Sequence, residues 1–331
     1  MASYIERRKF LATLLGGAAA WPLAARAQQA AMPVVGFLNP GSPEHLVEPM
    51  AAFRKGLSET GYVEGHNLTI EFRWAHNDTG RLPELAADLV RRQVAVIATP
   101  GYGAAALAAK AATTTIPIVF STGGDPVQIG LVVSLNRPGG NVTGISYMNA
   151  ELAPKRLGLL HELVPRAKRF GALLNVDDPV NRVPLPDLQA RGADIGLAIE
   201  PFYLRSDRDI DLAFASLQER RTEALLVFPS TLLFNRRVQV LTLAARHLAP
   251  IIYPAREWAM AGGLMSYGSS FTEQWLQAGI YTGRVLKGEK PAELPILRAT
   301  KFEFIINLQT AKALGLDIPP TLLGLADEVI E

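Results

Sequence analysis

The residues best suited to holding another molecule are Ser121-Thr122-Gly123-Gly124-Asp125: two hydroxyls, two backbone N–H groups left uncovered by glycine, and one fixed negative charge. Hydroxyls and N–H groups take a carboxylate, and an acid takes an ammonium. The same mixture of small and polar types recurs at Asn39, Gly41 and Ser42, at Gly101 and Tyr102, at Asn175 and Asp177, and at Pro229 and Ser230. Tyr253 and Glu257 add a ring and a third acid, and Met148 and Asn149 stand where the chain passes from one half to the other. Asp125, Asp177 or Glu257 would serve an ammonium, and Tyr102 or Tyr253 the ring or alkyl body of a ligand. Asn175, Asp177 and Asp125 have a second use as turn and N-cap residues, which needs no ligand.

Bond-making chemistry finds less support. The five histidines, His45, His66, His76, His161 and His247, form no H-E-x-x-H or i, i+4 pair, so no metal is expected. There is no G-x-S-x-G elbow, and the chain has 0 cysteines, which excludes disulfides and thiolate chemistry. Gly101-Tyr102-Gly103-Ala104-Ala105-Ala106 fits G-x-G-x-x-A between a strand and a helix, but it follows the third strand, and Asp125 lies past the tip of the next one. That argues against a dinucleotide, so no cofactor is expected. Arg137-Pro138-Gly139-Gly140-Asn141 reads as a tight turn following a helix after the fourth strand.

The candidate residues sit where strands end. Almost continuous apolar runs at Met32–Leu38, Val94–Ala98 and Ile116–Phe120, with Leu68–Trp74 alternating, read as strands. Between them helical spacing runs through Phe53 and Leu57 to Gly61, then from Leu82 to Arg92 and from Ala104 to Ala112. Such alternation makes a doubly wound parallel sheet, whose ligands sit at the C-terminal strand ends. The pattern restarts after Gly144, with helices from Glu151, Asp187, Ile210 and Arg236 and strands at Phe170–Asn175, Ile199–Leu204, Ala224–Phe228, Ile251–Tyr253 and Gly263–Tyr267. A helix over Thr272–Lys287, a strand ending at Asn307 and a helix over Leu308–Leu314 follow. Two α/β lobes are therefore expected, one of residues 32–147 plus 269–289 and the other of 148–268 plus 290–331, joined by three crossings that form a hinge.

The 331 residues, 49% of them hydrophobic, are enough for two such cores. Residues 1–27 carry Arg7, Arg8, Lys9 and Arg26 against Glu6, so the rest of the chain is close to neutral, with no basic face for nucleic acid. The Arg-Arg-Lys start, the short apolar run Leu11–Leu23 and Ala25-Arg26-Ala27 have the form of an export signal cleaved near Ala27, similar to the twin-arginine type. The run is too short to span a membrane.

Gly61-Tyr62-Val63-Glu64-Gly65 with Asn67, Gly124-Asp125-Pro126-Val127, Arg137–Gly144, Lys155-Arg156, Ser266-Tyr267-Gly268 and Ala311–Gly315 are uncommon words in a particular order. By them the mature chain resembles the TrpX-like substrate-binding proteins of bacterial ABC transporters, which have the type I periplasmic-binding-protein fold. The resemblance implies a monomeric periplasmic receptor, without enzymatic activity, that captures a small molecule such as an amino acid or aromatic acid and hands it to an ABC permease. An exported α/β enzyme and a ligand-sensing module for a membrane partner are the other classes this architecture serves.

Overall fold

Apolar runs of β-branched and aromatic residues become buried strands here because both faces are covered. The computed structural model describes residues 32–178, 180 and 184–331; the expected export signal lies outside the described residues. The first series is β1 (Val34–Asn39), α1 (Val47–Glu59), β2 (Thr69–Trp74), α2 (Leu82–Arg91), β3 (Val96–Thr99), α3 (Gly103–Ala112), β4 (Ile118–Thr122) and β5 (Val142–Ser146). The second is α4 (Ala153–Leu163), β6 (Arg169–Asn175), α5 (Pro184–Asp194), β7 (Ala198–Leu204), α6 (Asp207–Ala215), β8 (Ala224–Val227), α7 (Thr231–Asn235), α8 (Arg237–Arg246), β9 (Ile251–Tyr253), α9 (Arg256–Met260) and β10 (Met265–Gly268). The chain then gives α10 (Phe271–Leu286), β11 (Leu297–Arg298), β12 (Glu303–Asn307), α11 (Leu308–Ala313), α12 (Pro320–Leu325) and β13 (Glu328–Ile330).

Two sheets result, ordered β11-β5-β4-β3-β1-β2 and β13-β12-β10-β9-β8-β6-β7. The first is parallel throughout; in the second, β12 runs antiparallel to β10. Successive side chains of a strand point to opposite faces, so each sheet separates two cores. Phe37 joins Phe53, Val119 and Trp275 on one face of the first sheet, while Leu38 joins Leu89, Ile97 and Phe120 on the other. Ala172 and Leu226 of the second sheet face Leu160 and Phe304, while Leu173 and Leu225 face Phe214 and Trp258.

Strand order reverses beside β1 in one sheet and beside β6 in the other, which opens a crevice at the C-terminal end of each. The loops after β1, β3 and β4 face those after β6, β8 and β9. This is the expected two-lobed α/β arrangement with three connections between sheets. They follow β5, β10 and β11.

Three local expectations change. No helix lies between β4 and β5: the stretch folds as successive turns, such as Ile129 N to Asp125 O and Leu131 N to Pro126 O, because Pro126, Gly130, Pro138 and Gly139 interrupt any helical run. The helix expected from Arg236 is present as α8, but the loop expected after Ser230 is itself a short helix, α7, which ends at Arg236. The segment from 290 pairs its strand β11 with β5, through Leu297↔Ile145 and Arg298↔Ser146, so it completes the first sheet and the third crossing comes only afterwards. The short Leu297-Arg298 strand has no alternating pattern to read, and its place is set by the free edge of β5.

Helix α10, despite its late position in the sequence, packs on α1 of the first sheet. The approach depends on two glycines: a Cβ on Gly56 would strike the carbonyl oxygen of Leu276, and one on Gly279 the carbonyl oxygen of Phe53.

Candidate functional site

The loop after β3 lies at the centre of the crevice. Gly101 has φ +100°, a conformation that favours glycine, and a Cβ there would also crowd Trp275 Nε1 at 3.3 Å. Its N–H donates to Ser121 Oγ (2.6 Å), and its carbonyl accepts from Tyr147 Oη (2.6 Å), so strand ends β3, β4 and β5 hold one another. The next residue, Tyr102, is 5% exposed and contributes to two small cavities between the sheets.

One cavity, of about 30 Å³, is aromatic, with Tyr102, Tyr147 and Phe271 from the first lobe and Phe228 and Trp258 from the second. The other, of about 20 Å³, is polar, with Tyr102, Asn175, Asp178, Arg205 and Thr231 in its walls. Spaces of this size admit little more than water, which needs roughly 10–15 Å³. A ligand of amino-acid size therefore enters only when the two sheets move apart.

Asp178 is the electrostatic centre of the polar cavity. Its carboxylate is 7% exposed and accepts from Val180 N (3.1 Å), and no cation pairs with it among the described residues. Burial pushes this carboxyl up from 3.8 to about 6. The Tyr102 hydroxyl is buried near Thr231 without a well-formed hydrogen bond, and burial, with Asp178 nearby, pushes it well above the ordinary range. Tyr147 is shifted the same way by burial, then by Tyr102 and Asp178. With both phenols held neutral by burial, the acids of the polar cavity are Asp178, which is enclosed, and Asp177, which is exposed.

The sequence-selected residues divide by position. Tyr102, Asn149, Asn175, Asp177, Pro229 and Ser230 line the two cavities. Gly41, Gly101 and Gly123 stand behind them, with Gly41 against Asn235 and Thr231 of the second lobe and Gly123 against the Tyr147 ring. Asn39 and Ser121 brace loops: Asn39 Oδ1 accepts from Gly41 N (2.8 Å) and its Nδ2 donates to Pro100 O (3.1 Å). Thr122 Oγ1 accepts a long hydrogen bond from Gly124 N (3.5 Å). Ser42 shares a hydrogen bond with His76 (3.1 Å) away from both cavities. Asp125 is spent on its own turn, accepting from Val127 N (2.8 Å), and lies outside the lining. Tyr253 is stacked on Trp258 with centroids 4.8 Å apart and borders a different cavity, beside Leu241 and Gly263. Met148 faces Arg298 at the hinge. Glu257 Oε1 accepts from Phe271 N (3.1 Å) and Thr272 N (3.3 Å), capping α10 from the second lobe.

Asp178, Tyr147, Phe228, Trp258 and Phe271 were not selected from the sequence. Asp178 adjoins Asp177 in the same run; in the turn there, where Asp177 N donates to Asn175 Oδ1 (2.9 Å), Asp177 is exposed and Asp178 enclosed. The aromatic residues carry no sequence signal that separates a cavity wall from a core.

The hinge is tied by buried polar groups. Arg156 is 0% exposed, and its guanidinium donates to Asn149 O (2.6 Å) and Tyr267 O (3.2 Å), bridging the chain beside two crossings. Burial lowers its pKa to about 9. Ser269 N donates to Asn149 Oδ1 (3.0 Å) across the same place. Away from the hinge, Asn235 Nδ2 donates to Asn77 Oδ1 (2.7 Å), joining the outer lips of the two lobes.

Comparison with known proteins follows the same outline. Residues 37–330 match the family described as ABC transporter substrate binding protein. A tyrosine-binding protein of Clostridioides difficile (strain R20291) is 30% identical over 268 residues, covering 80% of this chain and 75% of that protein. The ABC domain from Streptococcus pneumonia, solved in complex with L-Trp, is 26% identical with a TM-score of 0.82, over 91% of this chain and 100% of that one. The ligand-free, open structure of a substrate-binding protein with adhesive properties from Clostridium difficile shares the fold at 23% identity and a TM-score of 0.61, over 90% of this chain and 99% of that one. With its two α/β lobes, tied hinge and interlobe crevice, the chain belongs to the family of ABC transporter substrate-binding proteins, which bind solutes and are not enzymes.

Proposed function

We propose that the solute is a free aromatic L-amino acid, held between the lobes and delivered outside the cytoplasm to the permease of an ABC transporter by a monomeric receptor. The observation that carries the reading is Asp178, a buried carboxylate without a cationic partner among the described residues, next to an aromatic wall drawn from both lobes. In this reading the ligand ammonium meets Asp178, its carboxylate meets Arg205 in the same cavity, and its ring lies among Tyr102, Tyr147 and Trp258. Asn149, Asn175, Asp177, Pro229 and Ser230 complete the lining. Tyrosine and tryptophan are the ligands of relatives with the same architecture, which supports the choice of class.

Calorimetry with L-tyrosine, L-tryptophan and L-phenylalanine against 3-(4-hydroxyphenyl)propionate tests it. The last compound keeps the ring and carboxylate of tyrosine and lacks its amine. At least one amino acid should bind, and the deaminated acid should bind about 100-fold more weakly, as expected when a buried charge loses its partner. Equal affinity for both compounds would remove Asp178 as the ammonium partner, and binding of none of the four would remove the ligand class.

A further inference from the structure

A space larger than either interlobe cavity lies outside the crevice. A groove of about 470 Å³ lies behind it at the hinge, within the roughly 300–1,000 Å³ of small-molecule sites. Its apolar floor comes from Ile145 of β5 and Leu297 of β11. Its walls come from the start of α10 on the first lobe and from Arg256 and Glu303 on the second, with residues 299–301 of the third crossing between them. A molecule lodged there touches both lobes and the strand that connects them.

Of the charged groups in the groove, Arg298 and Glu273 make no ion pair among the described residues, Glu273 accepting instead from Gln277 Nε2 (2.9 Å). Three basic side chains, Arg256, Arg298 and Lys301, stand against two acids, Glu273 and Glu303. Arg256 pairs with Glu303 (2.9 Å) and Glu328 (2.8 Å), and Lys301 pairs with Glu303 (3.0 Å). Arg298 makes no ion pair among the described residues, with Glu151 its acid neighbour; its Nη2 and Nε point at Met148 Sδ, at 2.8 and 3.2 Å. A thioether is a weak acceptor, so the planar donor fork of Arg298 remains available for a carboxylate. A second, independent group asks for a donor. Gln274, 3% exposed, contributes to the groove wall, and while its Nε2 donates to Ser269 Oγ (3.0 Å), its carbonyl Oε1 is enclosed and has no partner, so a donor reaches it only when the wall gives way. A buried carbonyl left unpaired is destabilising, and a hydroxyl that reaches it supplies the missing donor.

We infer that this hinge groove is a second ligand site, for a small hydroxycarboxylate, and that its occupant biases opening and closing of the lobes. The carboxylate pairs with Arg298 and the hydroxyl donates to Gln274 Oε1. A ligand that touches both lobes binds one lobe arrangement better than the other, and whatever it does to solute affinity, the solute does to its affinity. The coupling rests on the crevice reading given above; the site itself does not.

The test is an amide NMR titration of the full chain with L-malate, and with succinate, which lacks the hydroxyl. L-Malate should shift resonances of residues 145, 270–277 and 297–301 and bind several-fold more tightly than succinate. Arg298→Ala should weaken L-malate at least 10-fold while its melting temperature stays within about 2 °C of wild type, as for an exposed substitution. Asp178→Ala, in the crevice, should leave the L-malate shifts in place. Absence of shifts at 10 mM L-malate, shifts unaffected by Arg298→Ala, or shifts abolished by Asp178→Ala would each overturn the site. L-Tyrosine affinity measured with and without saturating L-malate should differ by at least threefold, and identical values would overturn the coupling while leaving the site. Failure of L-tyrosine to bind at all, with L-malate shifts intact, would strike the crevice reading alone.

Discussion

At the scale of a residue, Asp178 carries an opposition between stability and binding. Its carboxyl titrates near pH 6 in the fold and near 3.8 when unfolded, so between these values the native state holds a proton that the unfolded chain has lost. The contribution of Asp178 to stability is therefore greatest below pH 4 and falls as pH rises through 6, by about 3 kcal/mol once both states are ionised. Asp178→Asn should raise the melting temperature at pH 7 and flatten this fall, while L-tyrosine affinity drops about 100-fold; thermal melts from pH 4 to 8 with calorimetry at pH 7 measure both. An unchanged pH profile would mean that the carboxyl is ionised at little cost. In the wild type, protonation removes the ammonium's partner, so affinity should weaken as pH falls below 6.

At the scale of an element, the contact of α10 with α1 is a contact of backbones. Gly279→Ala should cost about 3 kcal/mol, the upper end of overpacking, because the atom it meets is a carbonyl oxygen that no rotamer change can move. Urea denaturation would show it, and wild-type stability would mean that the helices slide apart freely. Elements of this kind were largely legible from the sequence. The apolar runs that became β1, β3, β4, β6 and β8 are bounded by turn residues that allow one reading, and residues at the ends of β3, β6 and β8 supplied five members of the cavity walls, with Asn149 after β5 a sixth. What escaped was whatever depends on contacts distant in sequence. The two-residue β11 exists because β5 leaves an edge open, and Phe271 and Trp258 face a cavity only because another lobe stands opposite. Asp125 looked like a ligand for the reason that it makes a good turn: a short side-chain carboxylate beside free N–H groups.

At the scale of the whole molecule, closure of the lips depends on few contacts. Asn235→Ala deletes the bond to Asn77 far from the hinge; a hydrogen bond is worth about 1 kcal/mol net, so the protein without solute should shift toward open forms, with solute affinity falling about fivefold. Small-angle scattering should show a larger radius of gyration than wild type before L-tyrosine is added and the same radius after. Equal radii in both states would assign closure to the hinge ties of Arg156 and Ser269 instead. The threading of the chain has a further consequence, for the order in which the protein acquires structure. Strands β6 to β10 come from one unbroken stretch and can pair as soon as that stretch is available, whereas α1 must wait for α10, which the chain supplies only after all of them. Contacts between such distant segments form slowly. In refolding, amides of β6 and β8 should therefore gain protection from hydrogen exchange before those of α1, so that the half begun second is the half finished first.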